Sequence, residues 1–187
     1  PKFYFWKNGK GRDIIICEAD CEPPLRRYEY ANLILDVAEQ FGAKRIFTVC
    51  ALPTSTHHTA EPRVFGVVNN SRLKKCLAEQ HLVPIMEETN FNSMNALLLS
   101  AARTRGIQGI YLLGEVPSYA TEIANPKSTK AVLRVLTRML DVTIDMTEIE
   151  VLAQQSEGEI DRMRKVASKE FIEDFTIDYR DLFREED

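Results

Sequence analysis

At 187 residues the chain is long enough to bury a hydrophobic core without disulfide or metal staples, and its 44% hydrophobic and 28% charged residues are ordinary values for a globular protein. The formal net charge of −4 and the lack of a basic cluster argue against binding to nucleic acid or an anionic membrane, and no apolar run reaches the length of a membrane-spanning helix. The four cysteines include no Cys-x-x-Cys pair, so we expect a reducing, cytoplasmic location, with Cys17 and Cys50 buried in apolar strands.

The first half of the chain alternates strand and helix patterns. Residues 3–20 predict two β runs around an Asn-Gly turn. Residues 25–41 carry apolar side chains at helical spacing, and Gly42 is the expected end of that helix. A continuous apolar strand over residues 44–53 then leads into a polar loop with two adjacent histidines, and residues 63–70 form the next strand.

The second half repeats the alternation and ends in a long helix. Ser71 is the expected N-terminal cap of the next helix, and the pair Asn125-Pro126 is typical of a helix start. The predicted elements are, in order, a helix over residues 72–81, a strand over 82–88, a helix over 92–106, a strand over 107–117, a helix from 126 and a last, charged helix from 147 to about 175.

Strands and helices that alternate in this way predict an α/β fold with a mostly parallel sheet covered on both faces. We divide the chain into an α/β domain over residues 1–145 and a helical extension with an acidic tail over residues 146–187. In open sheets of this kind, ligands bind beyond the carboxyl ends of the strands. The residues predicted just past those ends are Glu18, Asp20, His57, His58, Asn69, Asn70, Glu88, Asn90, Gly114, Glu115 and Tyr119. Of these, the pocket-lining candidates are Asp20, Asn90, Gly114 and Tyr119, together with Asn92.

The sequence predicts the position of this candidate site more specifically than it predicts a chemical activity. Adjacent histidines in an extended segment point in opposite directions, and zinc sites need three or four ligands, so His57 and His58 do not predict a metal site. The sequence contains neither a Gly-x-Ser-x-Gly motif nor a glycine-rich phosphate-binding motif. We therefore expect neither a metal nor a cofactor. The histidines and Glu115 are candidates for acid–base catalysis, and hydrogen bonding within their loops is the alternative role.

Three segments of the sequence together resemble the proteasome assembly chaperone 2 family, in particular its prokaryotic branch. They are EYANLILDVAEQFGAKRIFTVCALPTSTHHTAEPRVFG, FNSMNALLLSAARTRGIQGIYLLGEVPSY and NPKSTKAVLRVLTRMLDVTIDMTEIE. The resemblance implies a three-layer α/β/α sandwich similar to the phosphorylase/hydrolase group. It also implies a role in protein assembly, because eukaryotic members of the family are heterodimeric scaffolds for the proteasome α-ring and archaeal members bind proteasomes.

The resemblance carries two further expectations. Members of the family usually begin with a strand, a glycine-rich turn and a helix ahead of the segment that opens here, so we expect a sheet that lacks its first strand. Relatives that dock on proteasomes can end in a hydrophobic-Tyr-any tripeptide, whereas this sequence ends in Glu185-Glu186-Asp187. The resemblance thus implies a protein client, such as a proteasome subunit, without implying insertion of a C-terminal tail.

Two classes of function remain open on the sequence. The first is a non-enzymatic, assembly-chaperone-like interaction module, and the second is a hydrolase-like or phosphorylase-like enzyme with a pocket at the carboxyl ends of the strands. The last helix favours the first class, because its distal part extends past a compact domain and needs another chain to cover its apolar stripe. We expect a homo-oligomer, with the interface candidates Ile160, Met163, Val166 and Phe171.

Overall fold

The computed structural model of the chain describes residues 1–9, 11–19, 21–84 and 93–175, without the side chains of residues 84 and 164–175. The predicted alternation of strands and helices is confirmed in this part of the chain. Its elements are β1 (Lys2–Trp6), β2 (Ile14–Glu18), α1 (Arg27–Gln40), β3 (Arg45–Thr54), β4 (Val64–Val68), α2 (Lys74–Glu79), β5 (Val83–Pro84), α3 (Met94–Thr104), β6 (Gln108–Pro117), α4 (Pro126–Leu140) and α5 (Thr147–Phe175).

Helix boundaries follow from local capping chemistry. The side chain of Asn125 accepts a hydrogen bond from the backbone N–H of Ser128 at 3.1 Å and so caps α4. The start of the α2 region differs from the prediction, because Asn70 rather than Ser71 is the cap and accepts from the N–H of Arg72 at 3.0 Å. Gly42 adopts a φ of 68° directly after α1, a conformation that glycine reaches without steric cost.

The main sheet has the strand order β3-β6-β4-β5 and is mixed. β3 runs parallel to β6, and β4 runs parallel to β5, but β4 is antiparallel to β6. The α/β fold is therefore confirmed, whereas the expectation of a mostly parallel sheet is wrong at the β4–β6 pair. The nine residues between Thr54 and Val64 explain the difference, because a parallel return needs a crossover of a dozen residues or more.

The direction of β4 changes which loops meet. The carboxyl ends of β3 and β6 lie at one edge of the sheet, together with the amino end of β4. Asn69, which follows β4, lies at the opposite edge, where its side-chain oxygen accepts from the N–H of Gly109 at 2.8 Å. Grouping Asn69 and Asn70 with the histidine loop is therefore wrong.

Helices cover the sheet on both faces and form three layers. Ile110 and Leu112 of β6 belong to a buried cluster with side chains of α2 and α4. Tyr111 and Leu113 point to the other face, where they pack on Leu99 of α3, and α1 packs on α3 in turn. The last helix, α5, lies outside this sandwich and packs on α4. Alternation of side chains along β6 thus supplies both halves of the core.

The amino-terminal strands β1 and β2 form a separate, antiparallel two-stranded sheet. This hairpin contacts the body where Phe5 stacks on Phe41, with ring centroids 6.2 Å apart. The expectation that Cys17 and Cys50 are buried is wrong, because both are exposed. Cys17 lies on the uncovered hairpin, and Cys50 lies on β3, which pairs with β6 alone among the described strands.

The close packing of α4 on β6 gives a direct test of the fold. A Cβ at Gly114 would lie 2.4 Å from Ser128 Oγ and 2.8 Å from Val132 Cγ2. We predict that Gly114→Ala lowers the free energy of unfolding by roughly 1–3 kcal/mol, since the helix or its side chains must shift. Urea denaturation followed by circular dichroism measures the change.

The matched control is Gly158→Ala on α5, where the nearest heavy atom to the new Cβ is an Arg162 nitrogen at 4.0 Å. This variant should be equal to the wild type or more stable by up to about 1 kcal/mol, because alanine favours helix over glycine. Equal stability of Gly114→Ala and the wild type would contradict the packing described for α4.

Candidate functional site

The sheet edge formed by the carboxyl ends of β3 and β6 gathers polar side chains from four parts of the chain. Thr54 ends β3, and the loop of residues 55–63 follows it. Glu115 lies near the end of β6, and Tyr119 lies in the short turn that follows. Helix α5 adds Asp161 from outside the sandwich. We call this region the carboxyl-edge site.

Glu115 is the buried anion of the carboxyl-edge site, with 1% of its surface exposed. Its Oε1 accepts from the Thr54 hydroxyl at 2.8 Å and from Arg63 Nη2 at 2.6 Å. Its Oε2 accepts from the backbone N–H of Arg63 at 3.0 Å. The Arg63 guanidinium also lies over the ring of Phe65, 5.1 Å from its centroid, within the range of a cation–π contact.

These bonds keep Glu115 ionised. The side-chain bond from Arg63 outweighs the opposing effect of burial, and the bonds from the Arg63 backbone and from Thr54 act in the same direction as the first. Together they lower the pKa of Glu115 from its usual 4.5 to about 2. A general acid or base works best with a pKa near the working pH, so Glu115 is poorly matched to proton transfer near pH 7.

His58 is the second buried polar group of the carboxyl-edge site, with 4% of its surface exposed. Its backbone N–H donates to the Tyr119 hydroxyl oxygen at 2.9 Å, and its ring Nδ1 lies 2.9 Å from the same oxygen. Its Nε2 lies 3.0 Å from Asp161 Oδ1. In the neutral ring, this geometry suits a phenol proton donated to Nδ1 and an Nε2–H donated to the Asp161 carboxylate.

His57 lies beside His58, with ring centroids 4.2 Å apart and planes tilted by 37°. The expectation that the two rings point in opposite directions is wrong, because the backbone turns here: the N–H of Ala60 donates to the His57 carbonyl at 2.9 Å. His57 Nδ1 lies 2.8 Å from the Thr59 hydroxyl. The two imidazole rings therefore lie against each other in a tilted arrangement.

Two acidic residues of α5, one turn apart, reach this loop. Asp161 contacts His58, and Glu157 forms an ion pair with Lys127 of α4. Lys127 also donates to the Thr59 carbonyl at 2.9 Å. The polar contacts thus join α4 and α5 to the histidine loop.

Several side chains of the carboxyl-edge site are not predicted from the sequence. Asp161 is 103 residues from His58, and Arg63 is 52 residues from Glu115. The i, i+4 spacing of Glu157 and Asp161 was a visible signal for a shared helix face, but it does not name the partner.

The other residues predicted to line a pocket or to form an interface do not share one environment. Gly114 is packed under α4 and does not line an open pocket. Tyr119 lies in the site with 46% of its surface exposed. Ile160 is 3% exposed against its own chain, whereas Met163 is 55% exposed, so of these two interface candidates Met163 is available to a partner. Asp20, Glu88, Asn90 and Asn92, and the side chains of Val166 and Phe171, lie outside the described residues.

Residues 1–9, 11–19, 21–84 and 93–175 contain no group of three or more His, Cys, Asp or Glu side chains placed to hold a metal ion. No helix in this part of the chain is both long and apolar enough to cross a membrane. A polar cleft of about 320 Å³ lies at the opposite edge of the sheet, beside Asn69, Arg103 and Gln108.

Comparison with known proteins gives a family match and several structural neighbours. The model of the PAC2 family matches residues 1–164. An uncharacterized protein of Methanocaldococcus jannaschii is 26% identical over 164 residues, which are 88% of this chain and 62% of that protein. The chain therefore spans less than two thirds of the length of this relative.

Solved structures with the same fold include a proteasome activator and a homologue of proteasome-assembly chaperones. PbaB of Pyrococcus furiosus, an archaeal proteasome activator, has a TM-score of 0.73 and 30% identity, and the match covers 87% of this chain and 70% of PbaB. A proteasome-assembly chaperone homologue of Mycobacterium tuberculosis has a TM-score of 0.72 and 23% identity, over 86% of this chain and 66% of its own. The second likeness shows the fold alone.

The ionised state of Glu115 generates a pH prediction. Its folded pKa lies below its unfolded value, so its contribution to stability is fully present above about pH 4.5 and is lost as the pH falls towards about 2. We predict that Glu115→Gln lowers the free energy of unfolding at pH 7 by about 2 kcal/mol, an estimate reduced for solvent screening of the exposed Arg63. The difference from the wild type should shrink between pH 4.5 and pH 2.

Urea denaturation at a series of pH values measures this difference. Glu159→Gln is the matched control, because Glu159 is an exposed glutamate on α5. It should follow the wild type at every pH. A Glu115→Gln penalty that stays constant down to pH 2.5 would contradict the lowered pKa.

Proposed function

The chain belongs to the PAC2 family, and on that premise we propose that it is an assembly-chaperone-like module that binds other proteins and is not an enzyme. Its clients in this proposal are subunits of the proteasome or of a related complex, and it acts in the cytoplasm. The likeness to the proteasome activator of Pyrococcus furiosus, at 30% identity, carries the proposal.

An exposed apolar surface supports a binding role. Of the fifteen large hydrophobic side chains that are exposed among the described residues, ten lie between Phe3 and Val49. Several are aromatic and belong to the β1–β2 hairpin, including Trp6 at 47% and Phe5 at 56% exposure. Tyr4 and Ile16 are cross-strand partners, and Phe5 stacks on Phe41, so these exposed side chains adjoin one another. Contiguous exposed apolar patches mark interaction sites. The hairpin is also short, and isolated two-stranded hairpins are marginally stable unless something packs on them.

The carboxyl-edge site gives less support to the enzyme alternative. The carboxylate of Glu115 and both ring nitrogens of His58 have hydrogen-bond partners within the fold. Groups engaged in this way stabilise the loops, and a catalytic role would require them to exchange these partners for a substrate. His57 is the exposed member of the three catalytic candidates. We therefore assign the site to stabilising the loops that surround it.

Helix α5 supports self-association. Its 29 residues span about 43 Å at 1.5 Å per residue. The buried side chains Ala153, Ser156 and Ile160 form its inner face, and Met163 beyond them is 55% exposed. A helix continuing past its last packed turn gains stability when another surface covers it. We propose that the part of α5 after Ile160 contributes to a homo-oligomer interface.

Binding to a proteasome subunit tests the proposed function. We predict that the chain, immobilised for biolayer interferometry, binds the purified proteasome α subunit of its own organism. Trp6→Ser should weaken this binding by about tenfold, or ~1.4 kcal/mol, because it removes an exposed aromatic anchor. Val151→Ser is the control, since Val151 is equally exposed, at 48%, but lies on α5. Lack of binding by the wild type, or equal binding by Trp6→Ser, would contradict the proposal.

Shortening α5 tests the oligomer. A chain that ends at Arg162 keeps Ile160 and Asp161, so we predict that its melting temperature matches the full chain. Its mass in light scattering should fall to that of a smaller species, because the distal helix is removed. A monomeric full chain, or the same oligomer after shortening, would count against the interface.

A further inference from the structure

Beyond the ion pair of Glu150 with Arg134 of α4, helix α5 is held to the body by a small buried seam and a polar clasp. The seam consists of Ala153, Ser156 and Ile160, of which two are small side chains that allow close approach to α4 but bury little apolar area. The clasp consists of the ion pair of Glu157 with Lys127 and the contact of Asp161 with His58. The two clasp residues of α5, Glu157 and Asp161, lie on one face of the helix, one turn apart.

The clasp closes over His58. The His58 side chain is 1% exposed, whereas that of Asp161, which contacts its Nε2, is 52% exposed. The tilted ring of His57 packs against the His58 ring, and Tyr119 meets it edge-on with a centroid distance of 6.2 Å. The contact from α5 therefore lies between the imidazole and solvent.

We propose that residues 157–163 of α5 form a strap that closes the carboxyl-edge site and can open while the sandwich stays folded. Opening of the strap would expose the ring of His58. This inference rests on the proposed function, because a partner that binds α5 beyond Ile160 would displace the helix that carries the strap. Binding at the distal helix and exposure of the histidine loop are then coupled through one element.

The energetics favour local opening. Both acidic side chains of the clasp are partly exposed, Glu157 at 38% and Asp161 at 52%, so solvent screening weakens their contacts with Lys127 and His58. The core of the sandwich, in contrast, contains fully buried side chains such as Ile110 and Leu112, which hold the sheet independently of α5. Segments with few buried apolar contacts open at lower free energy than the global unfolding transition. The strap meets this condition, since Ile160 is its last buried apolar side chain in the described part of the chain.

The three histidines of the chain allow a direct test by diethyl pyrocarbonate labelling and mass spectrometry. His81 is exposed and serves as the internal reference. In the wild type we expect His58 to react at least about tenfold more slowly than His81, because the closed strap covers it. The double variant Glu157→Ala/Asp161→Ala should raise the His58 rate about fivefold or more, with the His81 rate unchanged. Glu159→Ala is the control and should match the wild type.

Hydrogen exchange of residues 153–163 in the same samples separates opening from a change in imidazole reactivity. Faster exchange there in the double variant, with wild-type exchange in β6, supports the strap. A His58 that stays protected in the double variant, or reacts as fast as His81 in the wild type, would overturn it. The mass in light scattering and the binding of the α subunit are recorded in parallel. A strap that opens in a monomeric chain with no binding would refute the proposed function and leave the strap standing.

Discussion

The hydrogen-bonded pair of Arg63 and Glu115 sets the geometry of the whole carboxyl edge. Glu115 lies on β6, the strand that pairs with both β3 and β4, and its carboxylate accepts from Thr54 on β3 and from Arg63 just before β4. A buried carboxylate without such partners would be costly, so the three strand ends must stay in register for the fold to be stable. The histidine loop between Thr54 and Arg63 is fixed at both of its ends by the same anion.

The rest of the site is built on that fixed loop. With its ends held, the loop turns at His57 and brings His58 to Tyr119 and to α5. The site therefore has two polar groups with different roles. The inner carboxylate of Glu115 connects the strand ends, and the outer imidazole of His58 connects α5 to the sandwich. Ten of the fifteen exposed large hydrophobic side chains of the described residues lie elsewhere, between Phe3 and Val49. Most of the exposed apolar surface is thus separate from the polar groups that bind one another at the carboxyl edge.

Much of this architecture was predictable from the sequence, and the failures have physical causes. The periodicity of apolar residues and the capping residues predict the helices and strands, including α5 over 147–175, because both signals are local. The direction of β4 was missed, since alternation of strands and helices does not report that residues 55–63 are too few for a crossover. Glu115 and His58 were identified as site residues from their position after strands. Their partners Arg63 and Asp161 were not, because pairing across 52 and 103 residues leaves no local pattern.

The central claim is that this chain works by burying apolar surface against another protein. Isothermal titration calorimetry of the full chain with the purified proteasome α subunit, at several temperatures, tests it most directly. The account predicts saturable binding with a clearly negative heat-capacity change, the mark of apolar burial. Saturable binding with a heat-capacity change near zero, or no binding at any temperature, would contradict it.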